Sequence, residues 1–281
     1  MASLAAARAA HATPPARFAR YVAIGDSSTE GLMDHDGRGG YRGWSERLAG
    51  HIDAAQRPSV DTAAPPLLYA NLAVRGRTTR EIHDQQLARA LAMEPDLATL
   101  FCGTNDVLQP KFDIQAFTAD VHAMQAALRA RGTTVLTFTL PDLTPLLPLA
   151  RLIAPRIELM NAAVRAVCGL TGTRLVDFAQ YPVTTDARLW NSDRIHANSA
   201  GHARIADALA EALALPGSSP AWREPLPPRT ASPLAVVARE LRWGVRYLLP
   251  WSVLALLPRR PGAPQPGKRP VLLPLAPDTR D

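Results

Sequence analysis

The sequence predicts an α/β domain in which a parallel sheet of five strands is covered by helices on both faces, a three-layer α/β/α sandwich. Three observations carry this. Between Arg20 and Leu215 short apolar runs alternate with helix-patterned segments. The first of these runs, Tyr21 to Ile24, is apolar throughout, as suits a buried strand. With 281 residues and 47% hydrophobic content, the chain has enough apolar material for such a core.

In chain order, Arg20 to Gly25 reads as the first strand. Gly31 to Gly43 is a loop with five glycines, after which Trp44 begins a helix. That loop either shapes access to a site beside Ser27 or is a plain connection with Tyr41 and Trp44 tucked under the sheet. Leu67 to Leu72 is the second strand. Thr78 followed by Glu81 is a capping-box pattern that opens a helix to about Met93. Leu97 to Phe101 is the third strand, and Phe117 to Arg131 a helix with Phe117, Val121, Met124 and Leu128 on one face and arginines at its C-terminus. Thr134 to Leu140 is the fourth strand. A proline-interrupted apolar loop follows, in which Leu146 to Ile153 either lines an acyl pocket or starts the next helix, which runs to about Leu170. Arg174 to Phe178 is the fifth strand, and Asn198 to Leu215 the last helix of the module.

Composition divides the chain into a flexible leader (residues 1–17), a folded module (18–216) and a Pro-rich basic tail (217–281). Half of the 26 prolines lie in the tail, which also holds ten Arg or Lys against four Asp or Glu and so carries the whole formal charge of +6. A neutral module argues against nucleic acid as a partner. Within the tail, Leu234, Val237, Leu241, Val245 and Leu248 recur at helical spacing beside Arg239, Arg242 and Arg246 until Pro250. This basic amphipathic helix and the apolar Trp251 to Leu257 either meet a membrane surface or partner through residues 234–257, or pack back on the module. The first twenty residues have no continuous apolar core of a secretory signal, and no stretch has the length to span a bilayer, so the expectation is a cytoplasmic protein. Cys102 and Cys168 are expected to be packed thiols, since two cysteines make no disulfide framework. The histidines outside the Asp193–His196 stretch show no ligand spacing, so neither metal nor cofactor is expected.

The chemistry points to one turn. In Tyr21 to Gly31 an apolar run stops at Gly25 and small hydroxyl and acidic residues follow, so Ser27 stands at the carboxyl end of the first strand, where open α/β sheets place their chemistry. The chain then supplies Gly76, Asn105 in Gly103-Thr104-Asn105-Asp106, and Asp193 with His196 three residues on. Each stretch alone is compatible with an ordinary turn or cap; Asp26 and Asp106 read as structural residues. Together, and in this order, the four resemble the SGNH (GDSL-type) hydrolase family over roughly residues 18 to 215.

The resemblance implies a flavodoxin-like sheet and a serine hydrolase acting on carboxylic esters through an acyl-serine intermediate, with water as second acceptor. Ser27 is then the nucleophile, His196 the base and Asp193 the residue that orients it. The oxyanion hole comprises the backbone N–H groups of Ser27 and Gly76 and the amide of Asn105. Ser27 lies outside a Gly-x-Ser-x-Gly elbow, because residue 29 is threonine, so an α/β-hydrolase reading fits less well. The same machinery suits thioesters, sugar O-acetyl groups or acyl transfer, and a small-molecule acyl ester is the expected partner. The rival from another class is a non-catalytic module tethered by its tail. Arg75, beside Gly76, either meets a substrate anion or sits in an ion pair.

Overall fold

The structure, a computed structural model, describes residues 17–57, 65–228, 242–248 and 263–275. Its sheet has strand order β5-β4-β3-β1-β2-β6. These strands are β1 (Arg20–Gly25), β2 (Leu68–Asn71), β3 (Leu97–Phe101), β4 (Thr134–Phe138), β5 (Arg174–Val176) and β6 (Arg269–Pro274). The first five are parallel, with Gly25 opposite Phe101 and Ala23 opposite Asn71.

The chain runs from β1 to β2 on one side and returns past β1 to β3 on the other. With right-handed crossovers, that reversal sends the connecting helices to opposite faces. Accordingly α2 (Gly43–Gln56) packs against α7 (Ser199–Ala212), while α5 (Ile114–Arg129) packs against α6 (Ala154–Thr171). The helix α3 that joins β2 to β3, residues 79–92, contacts α5. Short helices α1 (Ser27–Glu30) and α4 (Thr104–Val107) begin directly after β1 and β3. The reversal leaves a crevice at the carboxyl end of β1, where ligands of such sheets bind.

Local sequence explains most element ends. Thr78 and Glu81 form the expected capping box at α3, Asp113 caps α5 through the N–H groups of Gln115 and Ala116, and Asn198 caps α7. One feature of α3 departs from a regular helix: His83–Leu87 form a π-type turn. The buried amide of Gln86 in that turn accepts from Gly25 N–H and donates to Gly25 C=O, both at 2.9 Å. The turn thereby completes the hydrogen bonding of the last residue of β1.

The sheet count corrects the five-strand expectation. β6 comes from the tail and pairs antiparallel with the edge strand β2. Its Pro270 and Pro274 are residues an outer strand tolerates and an inner one does not. Where residues 263–268 approach the sheet, Gly267 lies so close to the Leu72 backbone that a Cβ would collide with it. Trp222, in the 3₁₀ turn Pro220–Arg223, is buried and packs edge-on against Phe178 and Tyr181. Of the expected tail helix, Arg242 and Trp243 are helical and lead into a π-type turn Gly244–Leu248. The rest of that helix, the apolar Trp251–Leu257 and residues 1–16 of the leader lie outside the described residues. Among the described residues, no helix is long and apolar enough to cross a membrane. Cys102 and Cys168 are buried free thiols.

Candidate active site

Ser27 is the first residue of α1, and the turn that carries it is held from three sides. Gly25 has φ +157° and contacts Thr29 and the Phe101 carbonyl so closely that any side chain would clash. Asp26, 1% exposed, caps α1 by accepting from Ser28 N–H at 3.0 Å. Beneath the turn, the Asn71 amide donates to the Thr29 carbonyl at 2.8 Å and to Ser45 Oγ at 3.0 Å, while Ser45 Oγ itself donates to Thr29 at 2.9 Å. This buried network, extended by Tyr69 Oη to Ser45 at 2.9 Å, fixes the backbone around Ser27.

Asp193 and His196 lie on the loop between the 3₁₀ turn Ala187–Leu189 and α7. Asp193 Oδ1 accepts from the backbone N–H of Ile195 and of His196, both at 3.0 Å, and so folds the loop around its own carboxylate. Its Oδ2 is 2.8 Å from His196 Nδ1, and His196 Nε2 is 2.9 Å from Ser27 Oγ. A carboxylate cannot donate, so Nδ1 carries the proton and Nε2 is left to accept from the serine hydroxyl. Burial would raise the Asp193 carboxyl, but the hydrogen bond and charge of His196 and the two loop N–H groups hold it below the usual carboxylate range. Ser27 thus joins Asp193 and His196, the latter 169 residues further on, in one hydrogen-bonded chain.

Gly76 and Asn105 line the same cavity as Ser27 and His196. Gly76 has φ +78° with open space where a Cβ would sit, so glycine is needed there for its left-handed backbone. The Asn105 amide donates to the Arg77 carbonyl at 3.0 Å and, at 3.3 Å, to Asp26 Oδ2. Asp26 is therefore a buried acid beside the serine. Burial, with the nearby Asp106 charge adding, pushes its carboxyl up to about 7 against the bond from Ser28 and the charge of His196.

The cavity has a volume of about 290 Å³. Apart from polar residues such as Ser27, Asn105, Thr184, His196 and Arg204, its lining is mostly apolar, with Phe101 stacked on Phe138, and Phe178, Leu140, Ile205 and Trp222 also present. Leu32 of the glycine-rich loop reaches the cavity, whereas Trp44 is fully buried elsewhere, its indole N–H donating to Ser28 Oγ at 3.3 Å. Leu146 to Ile153 does not line it: Leu146 is buried, and Leu149 and Leu152 are exposed. Arg75 lies at the cavity wall with its guanidinium on Glu30, whose carboxylate also accepts from Arg75 N–H at 2.9 Å. Of the two readings of Arg75, the ion pair is the one formed.

Two residues that position this site gave no motif. Gln86, described above, shows in the sequence only as a polar residue within a helix. His202, 1% exposed, accepts from Trp44 N–H through Nδ1 at 3.1 Å and donates from Nε2 to the Leu32 carbonyl at 3.1 Å. It joins α7 to both ends of the glycine-rich loop. Burial lowers it to about 4, so it is neutral.

Comparison with known proteins agrees with this architecture. The sequence model of the GDSL-like lipase/acylhydrolase family matches residues 23–204. Among curated proteins, a sequence search finds no match. Among solved structures, the chain is similar to LAE5, an alpha/beta hydrolase enzyme from the metagenome of Lake Arreo, at 22% identity and TM-score 0.57, over 70% of this chain and 95% of that one. It is also similar to the acetylxylan esterase Axe2 of Geobacillus stearothermophilus, in a catalytic mutant form, at 16% identity and TM-score 0.55, over 75% and 97%. A third is the psychrotrophic esterase EstA of Pseudoalteromonas sp., at 18% identity and TM-score 0.53, over 70% and 97%. At these identities the likeness is one of fold. The family match spans well over half of the chain, and the chain belongs to the GDSL-like lipase/acylhydrolase family of ester-hydrolysing enzymes.

Proposed function

We propose that the protein hydrolyses carboxylic esters with an apolar acyl group through an acyl-serine intermediate, with Ser27 as nucleophile, His196 as base and Asp193 orienting it. The observation that carries this reading is the pair of contacts at His196, 2.9 Å to Ser27 Oγ and 2.8 Å to Asp193 Oδ2, with Ser27 and His196 lining a mostly apolar cavity. His196 Nε2 takes the serine proton as Oγ attacks the acyl carbonyl, and Asp193 stabilises the imidazolium that forms. The proton then passes to the leaving alcohol. Water repeats the sequence on the acyl-serine, releasing the acid and restoring Ser27.

The negative charge on the tetrahedral intermediate is met by the N–H groups of Ser27 and Gly76 and by the Asn105 amide. The 3.3 Å contact of Asn105 to Asp26 is the weaker of its two bonds and is the one exchanged for the oxyanion. No cofactor takes part in this chemistry.

Small-molecule pockets span about 300–1,000 Å³, so a cavity of about 290 Å³ suits one acyl chain better than a bulky group. Each buried methylene contributes about 0.8 kcal/mol, or about fourfold in kcat/KM when realised in the transition state. Hydrolysis of p-nitrophenyl acetate, butyrate and octanoate tests this: kcat/KM is expected to rise along the series and to be lost in Ser27→Ala. A flat series would contradict the acyl-pocket reading, and turnover retained in Ser27→Ala would contradict the mechanism.

A further inference from the structure

The family match ends at residue 204, yet residues 242–248 sit on the loop that carries Asp193 and His196. Tyr247 Oη is 2.7 Å from Ser192 Oγ, the residue before Asp193. The guanidinium of Arg194, the residue after it, lies over the Trp243 ring at 4.7 Å from its centroid. The Trp243 indole N–H points to the Asp193 carbonyl at 3.5 Å. Trp243 and Tyr247 are four residues apart, so one helical face grips Ser192, Asp193 and Arg194 in succession.

That loop needs such support. Arg194 is in the left-handed region at φ +63°, which a residue with a side chain adopts only when its surroundings impose it. Its side chain donates through Nη1 to the Leu146 carbonyl at 3.2 Å and also meets the Trp243 ring. Arg194 lies between the two residues whose side chains must stay aligned with Ser27. A second stretch of the C-terminal region is also attached to the module: the Arg77 guanidinium, next to Gly76, donates to the Ala263 carbonyl, and Lys268 Nζ is 3.0 Å from Glu46.

We propose that Trp243 and Tyr247 are positioning residues of the enzyme: they hold the backbone of Ser192, Asp193 and Arg194 so that His196 keeps its alignment with Ser27. The inference rests on the catalytic reading of Asp193 and His196 given above. In this arrangement a C-terminal segment outside the family region tunes turnover without touching substrate. It acts on kcat, because the alignment of a base with its nucleophile is used in the chemical step and adds little to substrate binding.

The test uses the full-length protein and p-nitrophenyl butyrate. Trp243→Ala is expected to lower kcat about tenfold or more, since misplacement by about 1 Å can cost a hundredfold, with KM unchanged. Trp243→Phe, which keeps a ring under Arg194, is expected to restore most of kcat. In the cycle of Arg194→Ala with Trp243→Ala, the double variant is expected to be little worse than either single one, because both break the same contact. Tyr247→Phe and Ser192→Ala are expected to be non-additive in the same way. An unchanged kcat in Trp243→Ala, a change confined to KM, additive losses in the Arg194 cycle, or a fall in kcat matched by a fall in Tm with no rescue by Phe would each overturn the inference. Turnover retained in His196→Ala or Ser27→Ala would instead overturn the catalytic reading beneath it.

Discussion

Replacing His202 by glutamine is expected to remove most of the acid lability that this histidine gives the fold. The imidazole is buried and neutral, accepting from Trp44 N–H and donating to the Leu32 carbonyl. Its pKa falls from 6.5 to about 4, mainly through burial, against the opposing pull of the Leu32 bond and the Asp34 charge. A depressed native pKa means that the unfolded chain binds the proton first. Stability is therefore complete above pH 6.5 and is lost as pH falls toward the native value of about 4. The gap of roughly 2.5 units is worth about 3 kcal/mol by pH 4, a large share of the 5–15 kcal/mol typical of a domain. Glutamine can accept from Trp44 and donate to Leu32 but cannot charge. Urea unfolding at several pH values between 4 and 7.5 measures the difference. Wild type is expected to lose about 3 kcal/mol relative to His202→Gln across that interval, with similar m values. Parallel pH profiles for the two proteins would rule out this role for His202, because carboxylates uncoupled from it, such as Asp177 and Asp186, contribute equally to both.

Asp26 is expected to act with the opposite sign in the same range. Its native pKa is raised to about 7 by burial, so its contribution is complete below the unfolded value of 3.8 and is lost as pH rises through about 7; Asp26→Asn is expected to flatten that decline in a urea series to pH 8.5. Asn105→Ala is expected to lower kcat by about 10²–10³ with a smaller change in KM, as for the loss of one oxyanion donor, measured on p-nitrophenyl butyrate. A chain ending at residue 262 loses β6 from the edge of β2, together with the partly buried Leu272 and Leu275 that pack on the core. It is expected to be less stable by at least about 2 kcal/mol in urea unfolding and more prone to associate through the exposed edge.

The parallel layers were legible because their signals are local. The runs Tyr21–Ile24 and Leu97–Phe101, apolar but for Thr99, are buried on both faces, and Thr78 and Glu81 cap a helix through side chains three residues apart. Helix starts moved where caps decided them: Asp113 opens α5 three residues before the expected Phe117. β6 was not legible, because Arg269–Pro274 has two prolines and no fully buried residue, and pairing with the edge of β2 makes it a strand. The π-type turn at His83–Leu87 was hidden for the same reason, since Gln86 is drawn inward by the end of β1 and not by its own neighbours.

The candidate site was legible through the family resemblance and not through spacing. Nothing local ties Ser27 to His196, 169 residues away, yet the structure brings them to 2.9 Å. What the motif did not contain is the support. Asn71 under the Ser27 turn, His202 behind the glycine-rich loop and Trp243 on the Asp193–His196 loop each make side-chain contacts that only the folded chain creates. Arg75 could be read two ways because its partner Glu30 is 45 residues distant.

Whether Ser27 is the nucleophile is read from the site of labelling by a fluorophosphonate, located by mass spectrometry of the peptide Tyr21–Arg38. That peptide holds both Ser27 and its neighbour Ser28, so fragmentation assigns the adduct between them. A single adduct on Ser27 is expected, absent in Ser27→Ala and formed much more slowly in His196→Ala. An adduct on Ser28, or no adduct on a folded protein, would contradict it.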